Sequence, residues 1–499
     1  MGSPPVPQLD AAALSSLREL FARLDYTERR LLEITGLETF FLVTRSAEEV
    51  YGRLGRAGPC GLFARVMLFG GRVQHAEMAE VVAPDSVDDW VRWGLLERHP
   101  GGADELRAAL VLYPVGDLVM LFDRPHLEDR TDADHVMSLG GGTSSLRFLA
   151  PRGPEVRALD LGTGGGTLAL LAARANASGL GVDVNERAIE LAKVNAALNG
   201  IDNVDFAVAD IFDLDPVAEP DGYDAIYAQP PFVIRPDAGI VYRDAVGRGD
   251  EMVRGVVRVA GERLRKGGMA VVFCNWVVPK GEDGAARLEA WVDGLGCDTL
   301  VLKVKEESPA AYAERWLQGP TERDPVDPEE RQRWLDYFDE LGAGSFATGV
   351  ICLRRRREGR PWLHLTEAPE RIGAGAYVDL VGVFAALDLV STRPPEALLN
   401  LALVAPPFLR IRQELAPAPG GWAVTDCTSS LRRGLMFELN HDAAVGELIQ
   451  GCDGKTTPAQ LVDRIANRHG ETAERVKKHL LGVIPMLLIY GFLRVADHG

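Results

Sequence analysis

Five short apolar runs alternate with helical stretches between residues 155 and 280: "VRALDLG" (156–162), "ASGLGVDV" (177–184), "VDFAVAD" (204–210), "YDAIYAQ" (223–229) and "GGMAVVFCNWV" (267–277). Continuous apolar runs of this length predict parallel strands buried on both faces, since each crossover to a parallel neighbour must lie against the sheet. Two later runs, "DTLVLKVKEES" (298–308) and "SFATGVICLRRR" (345–356), extend the sheet to seven strands. They bracket a helical insert rich in aromatics at about 308–344. This predicts an α/β domain over 126–360, flanked by regions of different texture.

Upstream, residues 10–34 have apolar spacing close to 3.6 and read as helices. The stretch from "LFARVMLFGG" to "VLYPVGDLVMLFD" continues as short helices ending in "WGLLER", a glycine turn and alternating strands. That is the pattern of a winged helix, and residues 1–125 are expected to form such an α+β domain. Glu77, Glu80, Asp85, Asp88 and Asp89 fall where a DNA reader would be basic, so a packing or protein-contact module is expected. Beyond "STRPPEAL" (391–398) the texture shifts again. "TPAQLVDRIA" starts a helix with Thr457 as cap and Pro458 in the first turn, inside a second winged-helix-like domain at 361–499.

A chain of 499 residues exceeds one core, and its net charge of -18 opposes nonspecific binding to phosphate backbones or anionic membranes. "MGSPPVPQLD" lacks a secretory pattern. The longest apolar run, "LLGVIPMLLIYGFL", contains a proline and falls short of the roughly 18 residues needed to span a bilayer. A cytoplasmic protein is the expectation. The 6 cysteines form no CxxC pair, which indicates reduced, buried thiols. "HLEDRTDADH" clusters His126, Asp132, Asp134 and His135 without metal-ligand spacing, so no metal site is expected.

The first strand feeds "GTGGGTLALLAARA", in which Gly162, Gly164 and Gly166 let backbone approach a ligand over the turn. Thr167 stands where a dinucleotide fingerprint has glycine or alanine, which disfavours a pyrophosphate cradle. Asp183 ends the second strand and Asp210 the third. The former is placed either to accept two ribose hydroxyls or to sit as a charge at the following helix; the latter either faces a base amino group or holds a turn. The fourth strand ends in Gln229, Pro230, Pro231 and Phe232, where two prolines remove two backbone donors and stop the strand.

With these elements the chain resembles the class I S-adenosylmethionine-dependent methyltransferases over roughly residues 135–280. More narrowly, it resembles the branch bearing an Asn-Pro-Pro-Tyr or Asn-Pro-Pro-Phe tetrad, which includes release-factor glutamine methyltransferases and rRNA guanine-amine methyltransferases. "HVMSLGGGTSSL" (135–146) is similar to that branch's glycine and serine element. The resemblance implies a Rossmann-like fold and S-adenosyl-L-methionine as cofactor, bound by Asp160, Gly162, Gly164, Gly166, Asp183, Val184, Asp210, Ile211 and Gln229. It implies Gln229 and the Pro230 carbonyl as acceptors of an amino group's hydrogens, Phe232 as the stacking face, and Pro231, Phe232 and Thr143 as substrate contacts. The first tetrad position departs from the branch, with glutamine in place of Asn, Asp or Ser. The expected activity is methylation of a planar amide or amino nitrogen of a protein or peptide. RNA base methylation and a non-catalytic cofactor-binding regulator are the alternatives, and a homodimer is a compatible assembly.

Overall fold

The computed structural model describes residues 3–496 except for 41–46, 100–101, 103, 125–133, 176, 216, 218, 238–243, 246, 319–325 and 419–420. The chain divides into two compact units, residues 1–366 and 367–499.

The first unit is organised by one large sheet. Its strands are β1 (Arg157–Leu161), β2 (Ser178–Asp183), β3 (Val204–Val208), β4 (Tyr223–Ala228), β5 (Leu264–Pro279), β6 (Cys297–Glu307), β7 (Ala343–Arg355) and β8 (Leu363–Glu367). The spatial order is β8-β6-β7-β5-β4-β1-β2-β3. Strands β1 to β5 pair in parallel, whereas β7 runs antiparallel to both β5 and β6. Eight strands stand where seven were expected. The added strand is β8, which the expected boundary at 360 assigned to the C-terminal domain; Thr299 reaches across to it, donating its N–H to the Trp362 carbonyl at 2.8 Å.

After β1 the chain moves outward to β2 and β3, then returns to the other side of β1 for β4 and β5. That reversal leaves a crevice at the carboxyl ends of β1 and β4, where the connecting loops diverge. Flanking it are α1 (Gly141–Leu149), α2 (Thr167–Arg174), α3 (Glu186–Asn199) and α4 (Glu251–Arg263). The insert forms α5 (Pro309–Leu317) and α6 (Pro328–Glu340), which bury Tyr312, Trp334 and Phe338 against Phe346 of β7.

The described residues of 1–125 carry six helices, a small sheet ordered (Val73–Gln74)-(Glu105–Ala108)-(Leu96–Arg98), and a hairpin of Val111–Val115 with Leu118–Phe122. They do not separate as a body with a core of their own. Leu17, Phe63, Trp90, Leu112 and Leu121 belong to one hydrophobic cluster with Leu170 of α2, Leu191 of α3 and Phe206 of β3. Both hairpin strands are fully buried, which leaves a row of edge amides to be satisfied. Two side chains of α3 do so by imitating a strand. Asn195 accepts from Leu121 N–H at 2.7 Å and donates to its carbonyl at 3.1 Å, while Asn199 does the same for Val119 at 2.9 and 2.8 Å.

The acidic residues of the N-terminal region serve local order. Glu77 and Asp89 close capping boxes with Gln74 and Ser86, and Asp88 pairs with Arg98.

The second unit contains a three-stranded antiparallel sheet ordered (Leu409–Ala418)-(Gly421–Leu431)-(Glu438–His441). Its helices are Ala376–Thr392, Pro395–Leu398, Ala443–Gly451, Pro458–His469 and Ala473–Ile489. Thr457 forms a capping box with Gln460, and Pro458 occupies the first turn, as expected. All six cysteines are buried and unpaired. No helix among the described residues is long and apolar enough to cross a membrane.

Candidate functional site

The loops at the carboxyl ends of β1 to β4 surround a cavity of about 240 Å³. The turn after β1 works because three glycines adopt left-handed backbone, with φ of 72° at Gly162, 53° at Gly164 and 88° at Gly166. Their surroundings differ. A Cβ on Gly164 would meet nothing within 4 Å, and one on Gly162 only Ile211 at 3.9 Å, so both border the cavity. A Cβ on Gly166 would lie 3.1 Å from the Phe206 ring and 3.2 Å from Ala192. Gly166, expected as a cofactor contact, therefore packs the turn onto β3 and α3 and is not a cavity residue.

Two substitutions should separate these roles. Gly164→Ala is expected to leave thermal stability within about 2 kcal/mol of wild type, the left-handed backbone cost, while weakening nucleoside binding at least tenfold. Gly166→Ala adds crowding to that same backbone cost and is expected to lower stability more than Gly164→Ala. Differential scanning fluorimetry with and without S-adenosylhomocysteine reads both.

Asp160 sits under the turn, 3% exposed. It accepts from the Thr163 hydroxyl at 2.7 Å and from Ala169 N–H at 3.1 Å, tying strand to turn to helix. Burial pushes its carboxyl up to about 6. Asp183, at the end of β2, accepts Gly164 N–H at 2.9 Å on one oxygen and Asn185 N–H at 3.0 Å on the other. Burial raises its pKa too, against the lowering by these backbone donors, so the ionised carboxylate is under-solvated and lines the cavity. Val184, Asp210 and Ile211 line the same cavity. Asp210 is exposed and accepts Phe212 N–H at 2.9 Å. A paired acid, a glycine turn and a second acid on consecutive strand ends suit a nucleoside with free ribose hydroxyls.

The tetrad after β4 is arranged differently from expectation. Only Pro231 lines the cavity. Pro230 is buried, and Phe232, half-buried and outside the cavity lining, packs edge-on against Phe273 (centroids 5.4 Å apart) and Trp316 (6.1 Å). Gln229 turns toward α1, where its Oε1 accepts the Thr143 hydroxyl proton. Its amide occupies a notch left by Gly142: a Cβ there would lie 2.9 Å from both Cδ and Nε2 of Gln229 and 2.7 Å from Phe273. Thr143 itself lines the cavity.

Sequence reasoning did not single out Phe122, Asn185, Phe212 or Met252, and it quoted 136–139 only as part of the element 135–146 without giving those residues a site role; all of them border the cavity. Phe212 carried a local signal, an aromatic two residues beyond Asp210 that is 54% exposed. The device that places 136–139 carried none, because its partners are far apart in the chain. Asp123, at the end of the hairpin, accepts Val136 N–H at 2.7 Å and both guanidinium nitrogens of Arg187 at 2.6 Å. Arg187 also donates to the carbonyls of Pro4 at 2.8 Å and Asp134 at 3.2 Å. The N-terminal arm, the hairpin, the cavity segment and the first turn of α3 thus meet on one buried ion pair.

His126 and Asp132 of the acidic loop lie outside the described residues. Among the run 354–357, Arg354 and Arg356 pair with buried Asp298, and Arg355 donates to the carbonyls of Gly261 at 3.0 Å and Leu295 at 2.6 Å. Arg354, Arg355 and Arg356 thus hold strand ends together, and Arg357 is exposed.

Residues 153–277 match a family described as "Methyltransferase domain". A release factor glutamine methyltransferase of Aliivibrio fischeri is 38% identical over 91 residues, 18% of this chain and 31% of that protein. A ribosomal protein L11 methyltransferase of Lactobacillus johnsonii is 39% identical over 105 residues, 20% of this chain and 32% of that protein. Among solved structures, phosphoethanolamine N-methyltransferase 2 of Haemonchus contortus aligns at 14% identity over 51% of this chain and 64% of its own, with a TM-score of 0.30. The chain spans about a third of the length of the curated relatives it matches.

Proposed function

We propose that this chain, in which residues 153–277 form a class I S-adenosylmethionine-dependent methyltransferase domain, methylates a planar amide or amino nitrogen of a protein or peptide. The observation that carries this is a single cavity lined by Asp183 and the glycine turn together with Thr143 and Pro231 of the tetrad. Asp183 would hold the ribose, Asp210 would face the base, and the open space at Gly162 and Gly164 would admit the cofactor where side chains could not. When bound, S-adenosylmethionine supplies a methyl group on a sulfonium, a leaving group that needs no acid assistance. The protein's residues then have three tasks, which are alignment, exclusion of water and acceptance of the nitrogen's hydrogens. Transfer would form a nitrogen–carbon bond at the expense of the sulfur–carbon bond, and the acceptor would release its surplus proton to solvent.

A protein acceptor is favoured over RNA on two grounds. The relatives are named for a release factor and a ribosomal protein. The net charge is -18, and Arg354, Arg355 and Arg356 of the basic run are engaged inside the fold. The N-terminal region 1–125 is proposed to be a winged-helix-like packing module, a reading supported by the order helix, strand, two helices and two strands within 58–108. The second unit is proposed to be a second α+β module of winged-helix type, and the protein to act in the cytoplasm.

Incubation with methyl-tritiated S-adenosylmethionine and host lysate, followed by protease or nuclease, tests the reading. Protease-released label is expected. Nuclease-released label would replace it with base methylation, and cofactor binding without any label would replace it with a regulatory role.

A further inference from the structure

We propose that Thr143 is the catalytic residue that receives the acceptor's N–H, and that Gln229 is a positioning residue acting through it; this rests on the nitrogen-methylation reading above. A hydroxyl has one hydrogen to give and two lone pairs. The hydrogen of Thr143 is committed to Gln229 Oε1. Toward the cavity, which Thr143 lines and Gln229 does not, the hydroxyl therefore offers lone pairs only. Donation to the amide also polarises the oxygen, which strengthens it as an acceptor.

The fold holds this pair from both sides. Thr143 stands in the first turn of α1, where its branched Cβ limits the side chain to few rotamers. Gln229 lies in the Gly142 notch with Phe273 beside it, a slot that any larger residue at 142 would close. The glutamine at the first tetrad position gains a physical reason. One more methylene than asparagine carries the amide oxygen about 1.5 Å further, out of the acceptor's path and onto the Thr143 hydroxyl, whereas the shorter side chain would fall outside hydrogen-bonding distance.

The site so arranged selects by hydrogen content. An acceptor nitrogen carrying two hydrogens can keep one on Thr143 Oγ1 while its lone pair meets the methyl carbon. A nitrogen that has lost both, or an ester oxygen, finds no donor-to-acceptor match. In the transfer Thr143 neither gains nor loses a proton; the nitrogen–carbon bond forms, the sulfur–carbon bond breaks, and the nitrogen's second proton leaves to water.

The test uses the full chain and four variants: Thr143→Val, Thr143→Ser, Gln229→Leu and Thr143→Val/Gln229→Leu. S-adenosylmethionine affinity is measured by calorimetry, and transfer is measured to the lysate fraction that wild type labels. Thr143→Val is expected to lower kcat about a hundredfold, the size of one lost transition-state hydrogen bond in a sheltered site, with cofactor affinity within about threefold of wild type. Thr143→Ser keeps the hydroxyl and should stay within about fivefold. Gln229→Leu should fall with Thr143→Val, and the double variant should be no slower than Thr143→Val alone, because the two side chains act in series. A Thr143→Val enzyme with normal kcat overturns the assignment, as does a double variant whose losses multiply, which would mean that Gln229 contacts the acceptor independently. If wild type labels no fraction at all, the nitrogen-methylation reading itself fails and this assignment with it.

Discussion

Asp183→Ala is expected to weaken S-adenosylmethionine binding by at least about a hundredfold while leaving the fold intact. Each carboxylate oxygen already holds one backbone N–H, from Gly164 and from Asn185, and partial burial raises the carboxyl's pKa while its remaining lone pairs face the cavity. Two ribose hydroxyls would complete that shell. Charge-assisted hydrogen bonds of this kind contribute roughly 1.5–3 kcal/mol each, so losing both costs about 3–6 kcal/mol, or 10² to 10⁴ in affinity. Ligand hydroxyls favour the ionised carboxylate over the protonated form. Affinity should therefore fall as the pH drops into the range where the raised Asp183 carboxyl takes up a proton. Calorimetry on the variant decides the matter, with far-UV circular dichroism as the fold control. Binding equal to wild type would remove Asp183 from the site.

Arg187→Ala should produce the largest loss of stability. The guanidinium is 11% exposed and its partner Asp123 3%, so truncation removes the main counter-charge of a buried carboxylate, leaving it Val136 N–H and the His135 ring at 3.6 Å. Breaking one side of a buried pair typically costs about 3–5 kcal/mol. Asp123 also holds Val136, within the segment 135–139 that lines the cavity, so cofactor affinity should fall together with the melting temperature. The double replacement Asp123→Leu/Arg187→Met should recover much of the stability, because no buried charge is left unpaired. It should not recover full affinity, since Val136 N–H would still lack its acceptor. A single variant with unchanged melting temperature and unchanged cofactor affinity would refute the role given to this pair.

What the sequence disclosed, and what it concealed, follows from the range of the interactions. The strand, glycine turn and helix at 156–175 are encoded by neighbours, as are the acids at 183 and 210, and all lie where local reasoning put them. The eighth strand was hidden because Leu363–Glu367 is short and gains its place by pairing with β6. The packing of Phe232 depends on Phe273 and Trp316, 41 and 84 residues away in the chain. The turning of Gln229 depends on Thr143 at a separation of 86 residues, and the ion pair behind the cavity spans 64. No window of sequence contains those partners. The same holds for the N-terminal region, whose helices look self-sufficient in periodicity yet share their apolar faces with α2, α3 and β3.

That shared cluster sets an order of events during synthesis. Chains fold as they emerge, N-terminal parts first, at about 5–20 residues per second. The first 125 residues leave the ribosome with Leu17, Phe63, Trp90, Leu112 and Leu121 in need of a surface formed by residues as distant as Leu191 and Phe206. The hairpin Val111–Phe122 waits, in the same way, for Asn195 and Asn199 to occupy its edge. For several seconds the nascent chain must carry exposed apolar strand, a state that calls on chaperones. A chain truncated near residue 125 would remain in that state, accumulating as aggregate instead of as a soluble domain.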